Sequence, residues 1–567
     1  MRAFVTGAAG FVGSRLCERL AARGRPADIT CLIRNAASAA QFRARGFDVI
    51  EADMMETAAY SERMLQCEHV YHVGALARFG NGLDYEHDNT EATRRILSVL
   101  AQSPCLESLV FTSTIGAVDR TPQDACDSPL TTASTPCPQS DYGRSKLACE
   151  TMIEASDLPW IILRPAWVYG PGMRADSHIA AFVRAIARGK AFTRFEFPGR
   201  VSVIHVNDLA DALVHLAHHG VKKQILFAAD GTHPTLGSIF QRIASVIAPE
   251  RRQIPIPAWA SGILGSVRRF LPFRVQCLFR DVLTCTGQHL VDAGCPPHTP
   301  FEQGLGETIA DFQSWTKGRY LVTGAAGGIG AAIARQLAAQ GTPLYLVDHD
   351  QTALLEMKEA TGGEILAIDL TDSGAPSRIL EWTQAHGDPV VGLVNNAGIG
   401  HRADHHTLAP DQIERVVQLN AVVPMVLCRL FLPAMLEHGS GHIVNISSST
   451  AGMPLPGMAV YGASKTALHG FSQSLWAEVE SRGVDVTCVC PSGTRTGFQE
   501  RAGVKVLHDG RGLASPDAVA AAVLDAVQRH RVCVVLGVRS VILRAVTFAL
   551  PVRWRARLWR VLMAKMR

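Results

Sequence analysis

One phrase occurs twice in this chain, and it constrains the fold more than any other feature. "AFVTGAAGFVGSRLCERL" begins at Ala3 and "YLVTGAAGGIGAAIARQL" begins at Tyr320. Each passes from a short apolar strand through a glycine-rich turn into a run with helical apolar spacing. Further landmarks repeat in register. Gly7 and Gly324 stand 317 residues apart, while Tyr142 and Tyr461, and Lys146 and Lys465, stand 319 apart. Several markers sharing nearly one offset indicate two domains built on one plan.

In each copy, apolar strands alternate with amphipathic helices. The first has "ITCLI", "HVYHVG" and "SLVFTS"; the second has "PLYLVD", "VGLVNNAG" and "GHIVNISS". This pattern predicts an α/β fold: two Rossmann-type, doubly wound parallel-sheet domains in tandem. The expected bounds are 1–316 for the first, with a substrate lobe from about 165, then 318–530 for the second. Residues 531–567 are left as a basic apolar tail. The joint near "FQSWTKGRYLV" has no Gly/Ser or Pro-rich stretch, which disfavours free tumbling of the halves.

At 567 residues with 47% apolar content, each half can bury a core. A net charge of only +4 carries no nucleic-acid signature. The fourteen cysteines are scattered, without a CxxC pair or a His/Cys metal spacing, so reduced thiols and no metal are expected. The chain enters its first strand at once, which leaves no room for a cleavable signal peptide; a cytoplasmic setting is the expectation.

The glycines point to a dinucleotide. Gly7, Gly10 and Gly13, with Phe11 and Val12 between them, form the first cradle. Gly324, Gly328 and Gly330, with Ile329, form the second. A first glycine permits the tight turn, a second lets backbone approach a pyrophosphate, and a third lets helix pack on strand. The end of the next strand meets the adenosine ribose. There the first copy has Arg34, whose guanidinium suits a 2′-phosphate and so NADP. The second has Asp348, whose carboxylate accepts from ribose hydroxyls and repels that phosphate, favouring NAD.

"YGRSK" and "YGASK" place a tyrosine and a lysine one helical turn apart on one face. A free phenol, with a pKa of about 10, is a weak base near neutrality. A nearby ammonium and the positive charge of an oxidised nicotinamide favour phenolate. The tyrosine then exchanges a proton with a substrate oxygen while hydride moves at the adjacent carbon.

With these motifs in place, both halves resemble short-chain dehydrogenase/reductases. The second resembles the compact branch through "TGAAGGIG", "NNAG", "NISSS" and "YGASK". The resemblance implies a catalytic set of Asn420, Ser448, Tyr461 and Lys465, with Ser448 preferred to Ser447 and Ser449 for its thirteen-residue distance from the tyrosine. It implies cofactor contacts at Asp369 with the adjoining Leu370, at Asn396, Ala397 and Gly398, and at Thr496 in "PSGTRT". Dimers are common in that branch, which implies a homodimer.

The first half resembles the extended branch, the group of NAD-dependent epimerase/dehydratases, 3β-hydroxysteroid dehydrogenases and dihydroflavonol-type reductases. It has "TGAAGFVG", "ADM", "FTSTIG", "YGRSK" and "LRPAWVYGPG". The resemblance implies Tyr142 and Lys146 with Thr114 as hydroxyl partner, Ser113 as the alternative, and Asp53 as a cofactor-binding residue. Gly74 stands where the family usually has alanine.

Apolar residues dominate "IPIPAWASGILGSVRRFLPFRVQCLF" in the substrate region, a buried core pair or a greasy pocket. From Arg539 onward the chain has eight Lys/Arg and no acidic residue, with Trp554 and Trp559 interleaved. That suits a helix in a headgroup layer, on the inner face of a membrane; an RNA-binding tail and a partner-binding helix are the competing readings. His401, Asp404, His405 and His406 in "HRADHH" read as a polar loop. The expectation is a bifunctional oxidoreductase acting on a hydrophobic small molecule. The alternatives are one catalytic half on a nucleotide-binding scaffold, or a sugar-nucleotide epimerase/reductase fusion.

Overall fold

Short runs rich in Val, Ile, Leu and Phe, too brief for helices, become the centre of each unit because helices cover both of their faces. The computed structural model describes residues 2–77, 83–119, 129–174, 177–257, 275, 277–281, 284–503 and 513–564. It divides into units Met1–Asp311 and Phe312–Arg567, a division that falls inside the helix Phe301–Thr316.

The first unit has strands β1 (Ala3–Thr6), β2 (Ile29–Ile33), β3 (Asp48–Glu51), β4 (His69–His72), β5 (Ser108–Thr112) and β6 (Trp160–Pro165). It continues with β7 (Trp167–Tyr169), β8 (Val203–His205) and β9 (Gln224–Ala228). Seven form a sheet in the order β3-β2-β1-β4-β5-β6-β9, every pair parallel. β7 and β8 pair apart from it. Every residue of β1, β2, β4, β5 and β6 is buried.

The second unit has β10 (Arg319–Thr323), β11 (Leu344–Asp348), β12 (Glu364–Ala367), β13 (Val390–Asn395), β14 (Gly441–Ile446), β15 (Val484–Cys490) and β16 (Cys533–Val535). Their order is β12-β11-β10-β13-β14-β15-β16, again all parallel. With the β7–β8 excursion set aside, the two sheets share one strand order. Each changes direction between its first and fourth strands, and the crevice at that switch point is where such sheets take ligands.

Two expectations need correction. A second domain ending at residue 530 omits β16, which pairs with β15 and completes the sheet. The tail is not a separate element either. It forms helices Val538–Ala549 and Val552–Ala564, and Trp559 is only 6% exposed. Its indole Nε1 donates to Thr547 Oγ1 at 3.2 Å. Trp554, by contrast, is 62% exposed.

Most of the apolar stretch singled out in the substrate region, residues 258–274 and 276, lies outside the described residues. Among the described residues one helical run, Pro410–His438, is long and apolar enough to cross a membrane. Its Leu427, Cys428, Phe431 and Met435 pack in the core with Leu393 and Ile443 of the sheet, as a flanking helix does. His405 and His406 lie in a short exposed 3-10 turn.

Candidate active sites

Both glycine turns are built for close backbone approach. Gly7 has φ +66°, and a Cβ there would lie 2.5 Å from Gly74 Cα. Gly324 has φ +63°, and its Cβ would lie 2.9 Å from Ala397 Cα. Gly74 and Ala397 thus hold one position, and each donates its N–H to the threonine before the turn: Gly74 to Thr6 Oγ1 at 3.0 Å, Ala397 to Thr323 Oγ1 at 3.2 Å. The alanine-to-glycine departure has a local reason. A Cβ on Gly74 would meet Met54 Sδ at 2.8 Å, so the methionine fills the space of the missing methyl.

The helix Phe11–Ala21 starts at Gly10 and the helix Gly328–Ala339 at Gly327, neither with a side-chain cap. First-turn N–H groups without a capping oxygen, at the positive end of the dipole, fit a pyrophosphate. Val12 and Ile329 face inward onto their cores, while Phe11 is partly exposed at the turn. Gly13 and Gly330 could not carry a side chain, since a Cβ would fall 2.1 Å and 2.0 Å from the Gly7 and Gly324 carbonyl oxygens.

The ribose ends differ as their residues do. Arg34 is an exposed cation, its side chain 78% accessible, and its Nη1 pairs with Asp53 Oδ2 at 3.2 Å. An exposed pair of this kind contributes little to stability. Asp53 also accepts from Met55 N–H at 3.0 Å. Asp348 is buried at the end of β11 and accepts the Ala326 N–H of the glycine turn at 3.0 Å. Asp369 accepts from Thr371 N–H and Oγ1 and pairs with Arg415 at 2.9 Å; Leu370 beside it is buried. Asn396 Nδ2 donates to the Gly324 carbonyl at 3.0 Å. Thr496 lies against the turn, 3.0 Å from where a Gly328 Cβ would stand.

The helices that carry the Tyr/Lys pairs, Asp141–Glu154 and Ala459–Val479, bury their lysines: Lys146 is 1% exposed and Lys465 4%. Lys146 Nζ stands 4.2 Å from the Phe111 ring centroid. Lys465 Nζ donates to the Ile446 carbonyl at 2.9 Å and lies 3.2 Å from where a Gly398 Cβ would be. Burial lowers both ammonium groups to about 8. Burial also pushes both phenols up. The protein by itself therefore does not make either tyrosine acidic. In the second unit the opposing influence comes from the Ser448 hydroxyl.

Backbone pairing sorts the hydroxyls. Ser113 N–H donates to the Leu163 carbonyl and Ser447 N–H to the Val489 carbonyl, each at 2.8 Å. Ser113 and Ser447 are therefore counterparts, and so are the next residues, Thr114 and Ser448. Ser447 Oγ donates to the Lys465 carbonyl at 2.8 Å, whereas Ser448 Oγ shares a hydrogen bond with Thr450 Oγ1 at 2.7 Å and, unlike Ser447, acts to lower the Tyr461 phenol. Thr114 Oγ1 accepts from Gly116 N–H at 3.2 Å.

Asn420 sits in a π-helical turn, Gln418–Val422, accepts from Ile399 N–H at 2.9 Å and donates to Ser464 Oγ at 3.1 Å. The first unit repeats this with a residue that the sequence reading passed over. Asn89, in the π-helical turn Glu86–Glu91, accepts from Leu76 N–H at 2.6 Å and donates to Ser145 Oγ at 3.0 Å. Its sequence signal is faint, because the distance to the tyrosine differs between the copies and a π turn leaves no apolar period to read.

Comparison with known proteins agrees with this geometry. Residues 3–228 match the model of the NAD dependent epimerase/dehydratase family, and residues 319–505 that of short chain dehydrogenases. The ketoacyl reductase HetN of a Nostoc species is 32% identical over 229 residues, covering 38% of this chain and 77% of HetN. The chain belongs to the short-chain dehydrogenase/reductase superfamily. It is a two-domain fusion within it, an NAD(P)-dependent oxidoreductase. The oxidoreductase EphD of Mycobacterium tuberculosis is 33% identical over 237 residues, but the match spans only 39% of EphD and 37% of this chain. A solved short-chain dehydrogenase from Sphingobium yanoikuyae in complex with NADPH is 30% identical, with a TM-score of 0.37, over 41% of this chain and 93% of its own. The matched ranges leave out residues 229–318 and 506–567 of this short-chain dehydrogenase/reductase.

Proposed function

We propose that both units are catalytic and act on a hydrophobic alcohol or ketone of lipid, steroid or polyketide type. The first uses NADP through Arg34 and the second NAD through Asp348. The observation that supports this reading is the apolar wall beside Tyr461. Met453, Leu455, Met458 and Ala502 are buried together with Trp559 and Met563 of the tail, and Tyr461 and Phe498 pack against them. In the second unit these apolar side chains favour a hydrophobic substrate over a polar sugar nucleotide.

In the second unit Ser448 positions the substrate oxygen and Tyr461 trades a proton with it. Asn420 and Ser464 brace the catalytic helix, and the wall excludes water. Thr114, Tyr142, Asn89 and Ser145 take these roles in the first. A bound nicotinamide supplies or accepts the hydride and, when oxidised, the positive charge that favours phenolate. Because NADPH usually reduces and NAD usually oxidises, the pair suits opposed reactions, giving net inversion or carbonyl migration. The tail's outer surface presents Val538, Val541, Ile542, Val546, Phe548 and Trp554 beside exposed arginines. This suits peripheral contact with the cytoplasmic membrane face, where such a substrate resides.

The test is turnover of secondary alcohols and ketones of increasing apolar length, with each nucleotide, by the full chain and by Tyr142→Phe and Tyr461→Phe. Rates should rise with apolar length, the first variant should lose the NADP-linked reaction and the second the NAD-linked one. A shared nucleotide preference would defeat the opposed-redox reading. If either tyrosine is dispensable for every turnover, its unit is a scaffold.

A further inference from the structure

The stripe of the helix Ala459–Val479 that carries Tyr461 and Lys465 carries His469 one turn further on. His469 Nδ1 lies 3.4 Å from Cys488 Sγ and 3.6 Å from Cys490 Sγ. Those cysteines are two residues apart in β15, so they share one face of the sheet. β16 adds Cys533, which pairs directly with Cys488. The donor atoms of His469, Cys490 and Cys533 all lie within 4.8 Å of one another. Cys488 and Cys490 are buried, while His469 and Cys533 keep partial access, which leaves an ion a way in.

A tetrahedral ion with metal–sulfur bonds of about 2.3 Å and metal–nitrogen bonds of about 2.0 Å holds its nitrogen and sulfur ligands roughly 3.6 Å apart. Both nitrogen–sulfur separations meet that requirement. We propose that His469, Cys490 and Cys533 bind a thiophilic divalent ion of the zinc type, with Cys488, 3.4 Å from His469 Nδ1 but outside that three-atom set, completing a tetrahedron by a side-chain adjustment.

Binding breaks three S–H bonds, forms three metal–sulfur bonds and one metal–nitrogen bond, and releases three protons to solvent; no electron is transferred. Three thiolates around a divalent ion leave one negative charge, and a guanidinium is already in place to balance it. Arg544 Nη2 lies 3.2 Å from His469 Nε2, and its Nη1 is buried without a hydrogen-bond partner. With Nδ1 on the metal, Nε2 carries the proton. The Gln473 side-chain amide, 3.4 Å from Nε2, accepts it once turned to present its oxygen. Arg544 then gives up its contact with Nε2 and stays beside the site as the countercharge. Four protein ligands close the site, so its role is structural: it ties the catalytic helix to the last two strands.

The test uses the full chain with any purification tag removed, reduced and stripped of metal without oxygen, then titrated with Co²⁺ and afterwards Zn²⁺. The expected result is near-ultraviolet thiolate-to-cobalt charge transfer with the intense visible bands of tetrahedral cobalt. These should saturate near one ion per chain, to about that precision, and be displaced by zinc. Cys533→Ser should weaken binding by at least roughly tenfold. His469→Gln, on the partly accessible ligand, serves as the second variant if the first misfolds. Replacing the exposed His401, His405 and His406 by Gln should leave the spectrum intact. A weak octahedral cobalt spectrum would overturn the proposal. So would equal affinity in wild type and variants, or a Cys488–Cys533 disulfide whose reduced form takes no ion.

Discussion

Glu150 and His469 occupy the same place in two copies of one helix, each eight residues beyond the tyrosine of its Tyr/Lys pair. The strands facing them correspond as well. Leu163 and Val489 accept the same backbone bond, so the next residues, Arg164 and Cys490, are also counterparts. In the first unit the pair is ionic and fully buried: Arg164 Nε lies 3.0 Å from Glu150 Oε1, and Nη2 lies 2.6 Å from Oε2. In the second it is an imidazole against sulfur. One topology fixes where the helix must be tied to the sheet and leaves the chemistry of the tie open. A bidentate ion pair is directional and tolerates no missing partner. A histidine among three thiols is compact, soft and able to recruit an outside ion.

The comparison can be broken in four ways, from the largest effect to the smallest. Tyr142→Phe and Tyr461→Phe should each lower the rate of their own unit by about 10²–10⁴-fold while nucleotide binding, followed by fluorescence, stays intact. Unequal losses would show that the two sites are not equivalent engines. Next, Glu150→Gln should destabilise the first unit by about 3–5 kcal/mol, read by urea unfolding, because it strands the Arg164 charge. His469→Gln in metal-free protein offers Arg544 Nη2 an amide oxygen in place of the imidazole and should cost about 1 kcal/mol.

Third, Arg34→Ala should raise KM for NADPH roughly ten- to hundredfold with NADH unaffected, the worth of a charged hydrogen bond. Asp348→Ala should do the same to the second unit's use of NADH. Last, burial sets the folded Lys146 at about 8, below its ordinary 10.5. Between those values the unfolded chain holds a proton that the folded chain has released, so stability rises with pH across this window. The gain should be on the order of 1–3 kcal/mol relative to Lys146→Met, measured by urea unfolding without nucleotide.

The layers, both glycine turns and the Tyr/Lys stripes were legible because each is a local pattern: a period, a turn or an i,i+4 pair. Asn89 and the last strand β16 were not, since one lies in a π turn and the other is three residues long and defined only by its neighbour. "TCVC" was in view, yet Cys533 joins it only through strand pairing. The tail was read by composition, as a lipid-facing helix. Composition could not distinguish Trp559, which turns inward to Thr547, from Trp554, which does not. The tyrosines teach a similar lesson. Lysine spacing suggested an acidified phenol, but spacing does not report how deeply the hydroxyl is enclosed.

Trp559 and Met563 roof over Met453, Leu455 and Met458. Shortening a basic, greasy C-terminus is a routine way to make a chain easier to handle. Here it would uncover a sticky floor beside Tyr461, so a trimmed variant should precipitate more readily than its parent and, on the function proposed above, should choose its substrates differently.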